Sequence, residues 1–425
     1  MWELITANKR KSIVLLTVMA MLMIAAGMLI GEAIAPGAWI IGGFFALILW
    51  LILSLVSYYS GDAIFLASAG ARQIKRTDHP VLFDIVEEMK IASGLAAMPR
   101  IYIIDDPRPN AFATGRDPEH ASVAVTAGLL NRLSRDEVQG VVAHELGHIQ
   151  NRDVLYVMLA AMMIGVIALM ADVFLRFLWF GGGRSRSRGR GSGGGQAQLI
   201  ILLVVIILAI LGPIAAQMLY FALSRRREYL ADACGAAYTR YPEGLASALE
   251  KIAAQPGMAE KKNRALAPMY IINPLQGAKS AVGLLSTHPA TEDRVRVLRS
   301  MAGASLADYE EAYKKAKGGG LVPSGALKTA RPVGVRPAWQ EEPNQPQPTP
   351  QERARQTSDM LWKLNKYIFL PCLCGVQLKI PPGFKSTKVR CPKCKRMHDI
   401  PRGQCKPGFP IPCGPKSHPK SNSFA

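Results

Sequence analysis

The first 371 residues of this 425-residue chain contain a single cysteine, Cys234. A disulfide framework in this region is therefore excluded, because one thiol has no partner there. The other six cysteines crowd the C-terminal end, from Cys372 to Cys413. This clustering indicates a local metal site and a reducing compartment.

Acidic residues are also scarce, with 31 Asp and Glu against 51 Lys and Arg and a net charge of +20. Such an excess suits nucleic acid, but basic residues also gather beside membrane spans and over anionic headgroups, so charge alone does not choose. The apolar share of 49% exceeds that of most soluble proteins. A membrane component is therefore predicted.

Two uncharged apolar runs, residues 12–31 and 37–59, predict a transmembrane hairpin over 1–60. The first run follows Lys9–Lys11, as a secretory signal would, but the second run follows closely and no clear cleavage site intervenes. We therefore expect a retained hairpin. Basic residues flank it on both outer sides, so the positive-inside rule predicts a cytoplasmic N-terminus and a cytoplasmic domain at 60–150.

A second hairpin is predicted over residues 154–223, from apolar runs at 154–171 and 199–223. Between them lies a Gly/Ser/Arg stretch at 181–195, whose four arginines a full crossing would place outside, against the charge rule. Either the hairpin spans the membrane in spite of this bias, or it enters shallowly and its arginines reach the headgroups. We favour spanning.

The rest of the first 316 residues reads as one α+β domain in two parts, 61–153 and 224–316. The first part predicts a helix at 80–95 and strands at Arg100–Ile104 and Ala121–Thr126. Ser134 and Glu137 form a capping box that opens a helix running through His148. The second part has helical regions at 242–255 and 289–316.

His144, Glu145 and His148 lie on this capped helix. Two histidines four positions apart point from one helix face and can bind one metal ion, with the glutamate beside the open position. A chance coincidence of these residue types arises about once in a hundred chains of this length. The motif therefore favours metal-assisted hydrolysis.

A third ligand is needed for zinc. Asn151 and Val154 occupy the positions that hold glycine and histidine in metzincins, so that subclass is excluded. Glu228 is the best candidate, and Asp232, one turn later, can accept a hydrogen bond from a ligand imidazole. The alternative is an ordinary charged helix beside the membrane.

Four stretches resemble the HtpX-type membrane zinc metalloproteases, bacterial relatives of the CAAX prenyl proteases. The resemblance covers roughly residues 1–300. The stretches are Asp106–Gly115, His144–Asp153, Ser224–Asp232 and Ser286–Arg294.

The resemblance implies a mainly α membrane protein with a zincin-type (gluzincin) α+β catalytic domain. It implies His144, His148 and Glu228 as zinc ligands and Glu145 as the base. It also implies a multi-pass protein of the bacterial inner membrane, with both termini and the active site cytoplasmic, that removes misfolded or damaged membrane proteins.

Two further features of the site follow from the matched stretches. His288 or Arg294 is the candidate donor to the oxyanion, with a structural role for this late motif as the alternative. Arg294 is also a candidate residue that would hold the metal ligands in position without binding the metal. The segment Asn110, Ala111, Phe112, Ala113 and Thr114 resembles the family's edge strand, where an extended substrate pairs through main-chain hydrogen bonds.

A Pro/Gln-rich linker is predicted over 317–360, a zinc-ribbon-like module over 361–403 and a basic tail over 404–425. Two cysteine pairs, Cys372 with Cys374 and Cys391 with Cys394, predict a structural zinc, although one residue separates the first pair where two is commoner. Buried free thiols are the alternative. Cys405 and Cys413 have no evident partners.

The ribbon is basic but lacks interleaved aromatic residues for base stacking, so protein or lipid docking is favoured over nucleic acid. Two functions compete with the endopeptidase. One is a non-catalytic zinc-containing scaffold that recruits partners through the ribbon, which predicts a fourth protein ligand at the His144 site. The other is a regulator tethered to nucleic acid, which predicts salt-sensitive DNA binding by the C-terminal residues.

Overall fold

A computed structural model describes residues 2–155, 225–254, 270–272, 289–322, 324–328, 330–339 and 348–400. The chain divides into two compact units, Met1–Met360 and Leu361–Ala425. Nearly all of the second predicted hairpin, together with His288 and the basic tail with Cys405 and Cys413, lies outside the described residues.

The first unit opens with two long helices, α1 (Trp2–Ile34) and α2 (Trp39–Ser68). Within the described ranges, α2 is the one helix long and apolar enough to cross a membrane, and the apolar part of α1, Leu16–Glu32, is shorter. The two helices touch through glycines, since a Cβ on Gly42 would lie 2.2 Å from the carbonyl oxygen of Gly27. Contacts between small residues of this kind are typical of helices packed in membranes.

A four-stranded sheet follows, built from β1 (Arg72–Gln73), β2 (Arg100–Ile104), β3 (Ala111–Gly115) and β4 (Ala121–Thr126). The strand order is β1-β2-β4-β3, with β2 and β4 parallel and β3 antiparallel at the edge. The predicted strands at 100–104 and 121–126 are confirmed to the residue. Phe112 and Ala124 of the sheet pack against Phe65 at the end of α2, which joins the sheet to the membrane helix.

The helices around the sheet carry the site. They are α3 (Pro80–Ser93), α4 (Ala127–Arg132), α5 (Arg135–Gln150), α6 (residues 225–239), α7 (Pro242–Ala253), α8 (Thr291–Arg299) and α9 (Leu306–Lys317). The region predicted as helical over 289–316 is thus two helices with a break between them.

The fifth helix is almost entirely buried, packed between the sheet, α3 and α7. Its predicted capping box is confirmed, because the Ser134 hydroxyl accepts from the Glu137 N–H and the Glu137 carboxylate accepts from the Ser134 N–H. Gly147 lets α6 approach closely, since a Cβ there would lie 3.0 Å from the Cβ of Cys234. The two helices that carry the candidate ligands are therefore in direct contact.

Part of the segment predicted to be a linker is folded against this domain. A short helix, α10 (Ser324–Lys328), precedes residues 330–339, which bond to α5 and to the end of α6. The helix α11 (Pro350–Leu364) then leads out of the first unit.

The second unit contains two antiparallel hairpins. One pairs β5 (Ile368–Pro371) with β6 (Gln377–Ile380), and the other pairs β7 (Lys388–Arg390) with β8 (Met397–Asp399). Its small core consists of Leu378 with the buried cysteines Cys372 and Cys391. So small a core favours a metal as the main source of stability.

Glu137 joins the start of α5 to α7. Its carboxylate also accepts from Ser247 at 2.6 Å and from Lys251 at 2.8 Å, on α7. Burial alone would raise the pKa of Glu137, but these hydrogen bonds outweigh it and lower the pKa below the ordinary 4.5.

We expect Glu137→Ala to lower the free energy of unfolding by about 1–3 kcal/mol, because a cap and a charged hydrogen bond are lost together. Because the folded pKa is depressed, this contribution is complete above pH 4.5 and disappears as the pH falls through the folded pKa. Thermal melting at pH 7 and at low pH measures both effects. Glu311→Ala, on an exposed pair with Lys315, is the control, and an equal loss in both variants would contradict the assignment.

Candidate metal centre and active site

Three side chains converge where α5 meets α6. The rings of His144 and His148 lie 4.8 Å apart between centroids, at 90°. Glu228 approaches both, with one carboxylate oxygen 3.8 Å from His144 Nε2 and the other 3.5 Å from His148 Nε2. One ligand atom from each residue lies within 4.8 Å of the others, so the group could hold a metal ion.

Carboxylates orient both imidazoles. Asp232 Oδ1 lies 2.9 Å from His144 Nδ1, and Asp153 Oδ2 lies 3.5 Å from His148 Nδ1. In each histidine the Nε2 atom is thereby left to face Glu228, as in sites where an outer carboxylate fixes the ring. Sequence reasoning identified Asp232 but missed Asp153, whose signal was its place in the matched stretch that begins at His144.

The two histidines differ in their proton affinity. Complete burial lowers the pKa of His144 to about 4, so this ring is neutral at pH 7, the form that binds a metal. Burial also disfavours charge on His148, but the carboxylates of Asp153 and Glu228 outweigh it and raise its pKa to about 10. The acidic residues around the cluster thus attract a positive charge.

Arg294 of α8 completes the buried cluster and is itself only 1% exposed. Its guanidinium donates to both oxygens of Asp232, at 2.8 and 2.7 Å, and lies 3.4 Å from Glu228 Oε2. It also donates to the carbonyl oxygen of Ile271 at 3.1 Å. Arg294 therefore holds Asp232, which contacts His144, and it also contacts Glu228.

Glu145 lies beside the three converging residues, 2% exposed. Burial is the main cause that raises the pKa of its carboxyl to about 7, and the charge on Glu228 acts in the same direction. The backbone N–H of Ala113 donates to the carboxylate and opposes the shift. A carboxyl group with a pKa near neutrality can both accept and release a proton at pH 7.

The edge strand β3 borders this carboxylate, and part of its outer edge is occupied. The Ile271 N–H donates to the carbonyl oxygen of Ala111 at 3.0 Å, and the Asn110 side chain donates to Ile272 at 2.9 Å. Tyr270 stacks edge to face on Phe112. The first two residues of the predicted substrate strand are thus bonded within the chain, which sequence reasoning did not foresee.

The second candidate metal site lies in the C-terminal unit. The sulfur atoms of the four cysteines lie 3.4 Å (Cys372 to Cys374 and to Cys394) and 3.6 Å (Cys374 to Cys391) apart. These spacings suit a tetrahedral zinc with Zn–S bonds of about 2.3 Å. The N–H of Cys394 is the main cause that lowers the pKa of the Cys391 thiol, favouring the thiolate that a metal needs. His398 Nε2 lies 3.2 Å from Cys372 Sγ, a contact the sequence did not indicate.

Comparisons with known proteins agree with this geometry. The family model described as "Peptidase family M48" matches residues 77–302. The chain belongs to peptidase family M48. It is 43% identical over 303 residues to a "Protease HtpX homolog" of Dictyoglomus thermophilum, covering 71% of this chain and 94% of the relative. It is 37% identical over 301 residues to a "Protease HtpX homolog" of Lactobacillus helveticus, covering 71% of this chain and all of the relative.

A solved structure, "Crystal Structure of S. mikatae Ste24p", is also similar, at 18% identity and a TM-score of 0.36 over 63% of this chain and 60% of that one. As an M48 peptidase related to HtpX proteases, the protein is a membrane-bound zinc metalloprotease. The family match ends at residue 302, so the C-terminal unit is an addition to the M48 domain.

The buried pair of Arg294 and Asp232 is testable in this M48 domain. We expect Arg294→Met to cost about 3–5 kcal/mol of stability, because it leaves the Asp232 charge buried without its partner. Asp232→Asn alone should cost a similar amount, and the double variant less than the sum. Melting of the four proteins gives the interaction energy, and strict additivity would contradict the pairing.

Proposed function

We propose that the protein is a zinc endopeptidase in which His144, His148 and Glu228 hold the catalytic metal. The observation that carries the proposal is the convergence of these three groups, two nitrogen donors and one carboxylate, at a nearly buried site. The donor set fits zinc, which catalytic sites bind through three protein ligands with one position left open. When bound, zinc supplies the Lewis acid that polarises the scissile carbonyl and lowers the pKa of a water.

Glu145 is the proposed general base. Its carboxylate takes a proton from the attacking water and later delivers it to the leaving amine, a role that a carboxyl group with a pKa of about 7 suits. Asp232 and Arg294 keep the ligand cluster oriented. Because the Arg294 guanidinium is engaged by Asp232 and the Ile271 carbonyl, His288 is the remaining candidate donor to the oxyanion among the two proposed from the sequence.

We place the substrate on β3, the edge strand next to Glu145. The Ala111 carbonyl, which accepts from Ile271, faces away from β4. Because backbone groups alternate along an antiparallel strand, the N–H and C=O groups of Ala113 and Gly115 also face away from β4. Because the Ala113 N–H is already bonded to Glu145, extended substrates would pair from the Ala113 carbonyl onward. Main-chain pairing of this kind gives broad sequence tolerance.

The proposed substrates follow from the position of the active site next to the predicted membrane helices. The hairpin of α1 and α2 sets the active site beside the bilayer, because Phe65 and Leu66 of α2 pack against the sheet. With the N-terminus, the C-terminus and the active site in the cytoplasm, as the basic flanks favour, the enzyme would degrade misfolded or damaged membrane proteins of the bacterial inner membrane. A second, structural zinc would be bound by Cys372, Cys374, Cys391 and Cys394.

Glu145→Gln separates an enzyme from a zinc-containing scaffold. We expect the variant to keep its metal, since no ligand changes, and to lose at least about 10²-fold in turnover. The measurement is cleavage of a loosely folded membrane protein in detergent, with bound zinc determined in both proteins. Wild type that holds zinc firmly and cleaves none of several unfolded substrates would favour the scaffold.

The two metal sites should be separable by mutation. We expect His148→Ala to remove one equivalent of zinc and Cys391→Ser to remove the other, because each deletes a ligand from one cluster. Metal analysis after dialysis measures the stoichiometry. Retention of the same zinc content in Cys391→Ser would contradict the four-thiolate site, and Cys234→Ser, which alters a buried thiol outside both clusters, is the control.

A further inference from the structure

The chain beyond the M48 match contacts α6, the helix that carries Glu228, at two separate places. We call residues 320–322 and 330–339 the C-terminal strap. The family match ends at residue 302, so the strap is an addition to the matched domain. The two places, Arg226 and Arg240, lie about 20 Å apart along the helix axis at 1.5 Å per residue. Contacts this far apart constrain the helix between them.

Near Glu228, the strap is bound by Arg226, two residues earlier in the chain. The Arg226 guanidinium donates to the carbonyl oxygens of Gly320 at 2.8 Å and Leu321 at 3.3 Å. This part of the strap is itself held in place, because the buried Glu310 carboxylate accepts from the N–H groups of Leu321 and Val322, at 3.0 and 2.9 Å. The part of α6 that carries Glu228 is thus bonded to the strap.

At the other end, the strap bonds to the residue that terminates α6. The Arg336 N–H donates to the carbonyl oxygen of Arg240 at 2.8 Å, and the Arg240 guanidinium donates to Gly334 at 3.2 Å. Arg240 has a φ of +54°. This left-handed conformation is unfavourable for a residue with a side chain. The strap bonds therefore stabilise a helix end that is otherwise unfavourable.

One side chain of the strap also joins α6 to α5. The Arg336 guanidinium donates to the Thr239 carbonyl oxygen at 2.9 Å, and to Asp136 and Gln139 on α5 at 2.7 and 2.6 Å. The Trp339 N–H adds a bond to the other oxygen of Asp136, at 2.8 Å. Arg336 thus links the helix of His144 and His148 to the helix of Glu228.

We propose that the strap positions the catalytic metal site, with Arg336 as its central positioning residue. By fixing α6 against α5, it sets the distance from Glu228 to the two histidines. Ligand placement must hold to within about 0.5 Å for metal affinity and turnover. The inference rests on the proposed function, because it requires that these three residues hold the metal. Arg336 itself is not one of the three proposed ligands.

The test compares Arg336→Ala and Arg336→Lys in the full-length chain in detergent. Cobalt is the probe, because cobalt bound to thiolates absorbs differently from cobalt bound to histidine and carboxylate, which separates the two metal sites. Chelator competition then gives the affinity at the His144 site. We expect Arg336→Ala to weaken this affinity by about 2–30-fold, the range for residues that are coupled to a site without contacting it, and to lower kcat more than it changes KM.

Arg336→Lys should fall between wild type and Arg336→Ala, because an ammonium keeps the charge beside Asp136 but lacks the planar fork that reaches three acceptors. This variant also keeps the test decisive if the alanine variant does not fold. Arg299→Ala is the matched control, since Arg299 bonds two carboxylates, Glu243 and Glu250, but touches neither ligand helix. It should leave cobalt affinity and kcat at wild-type values.

The proposal is overturned if both Arg336 variants keep wild-type cobalt affinity and kcat, whatever their melting temperatures. Failure of the proposed function would give a different result. Wild type would then have no cobalt site that is lost in His144→Ala, and the Arg336 variants would have none either.

Discussion

A buried ion pair between Asp232 and Arg294 is the interaction on which the centre of this enzyme depends. It places a carboxylate against the back of His144 and a guanidinium beside Glu228, with all four side chains nearly or fully buried. Such charges are tolerated in a protein interior only when they are paired and hydrogen-bonded. The pair therefore requires α6 and α8 to meet, and the contact of Asp232 with His144 adds α5 at the same point, where the three proposed metal ligands converge.

Function follows from the imbalance of charge inside this cluster. Asp153, Glu228 and Asp232 surround two imidazoles, and the shift of the His148 pKa to about 10 shows that the site favours an added positive charge. Glu145 stands beside the cluster without being one of its three converging donors, and its burial gives its carboxyl the proton affinity that general base catalysis requires.

Much of this arrangement was predictable from local patterns. The capping box at Ser134 and the strands at 100–104 and 121–126 depend on neighbouring residues, and the spacing of His144, Glu145 and His148 is a property of one helix. Glu228 was proposed because zinc needs a third ligand, and Asp232 because it lies one turn later on the same helix face. Contacts between distant segments were not predictable, since chain order carries no distance.

Ile271 on Ala111 and His398 beside Cys372 belong to these distant contacts, whereas Asp153 follows His148 by only five residues and was overlooked. The strap illustrates the same limit. Its Pro- and Gln-rich surroundings predicted a linker, whereas Arg336 finds its acceptors about 100 and 200 residues earlier. A segment outside the M48 match thus bonds to both helices that carry the proposed metal ligands. Composition describes what a segment tends to do alone, and a few polar side chains with buried partners override it.

The most direct test of the account is the position of zinc in crystals of the full-length protein, located by anomalous scattering at the zinc edge. We expect a peak about 2.0–2.2 Å from His144 Nε2, His148 Nε2 and a Glu228 oxygen, with no fourth protein ligand. A closed shell with a fourth protein ligand, or zinc bound only by the C-terminal cysteines, would contradict it.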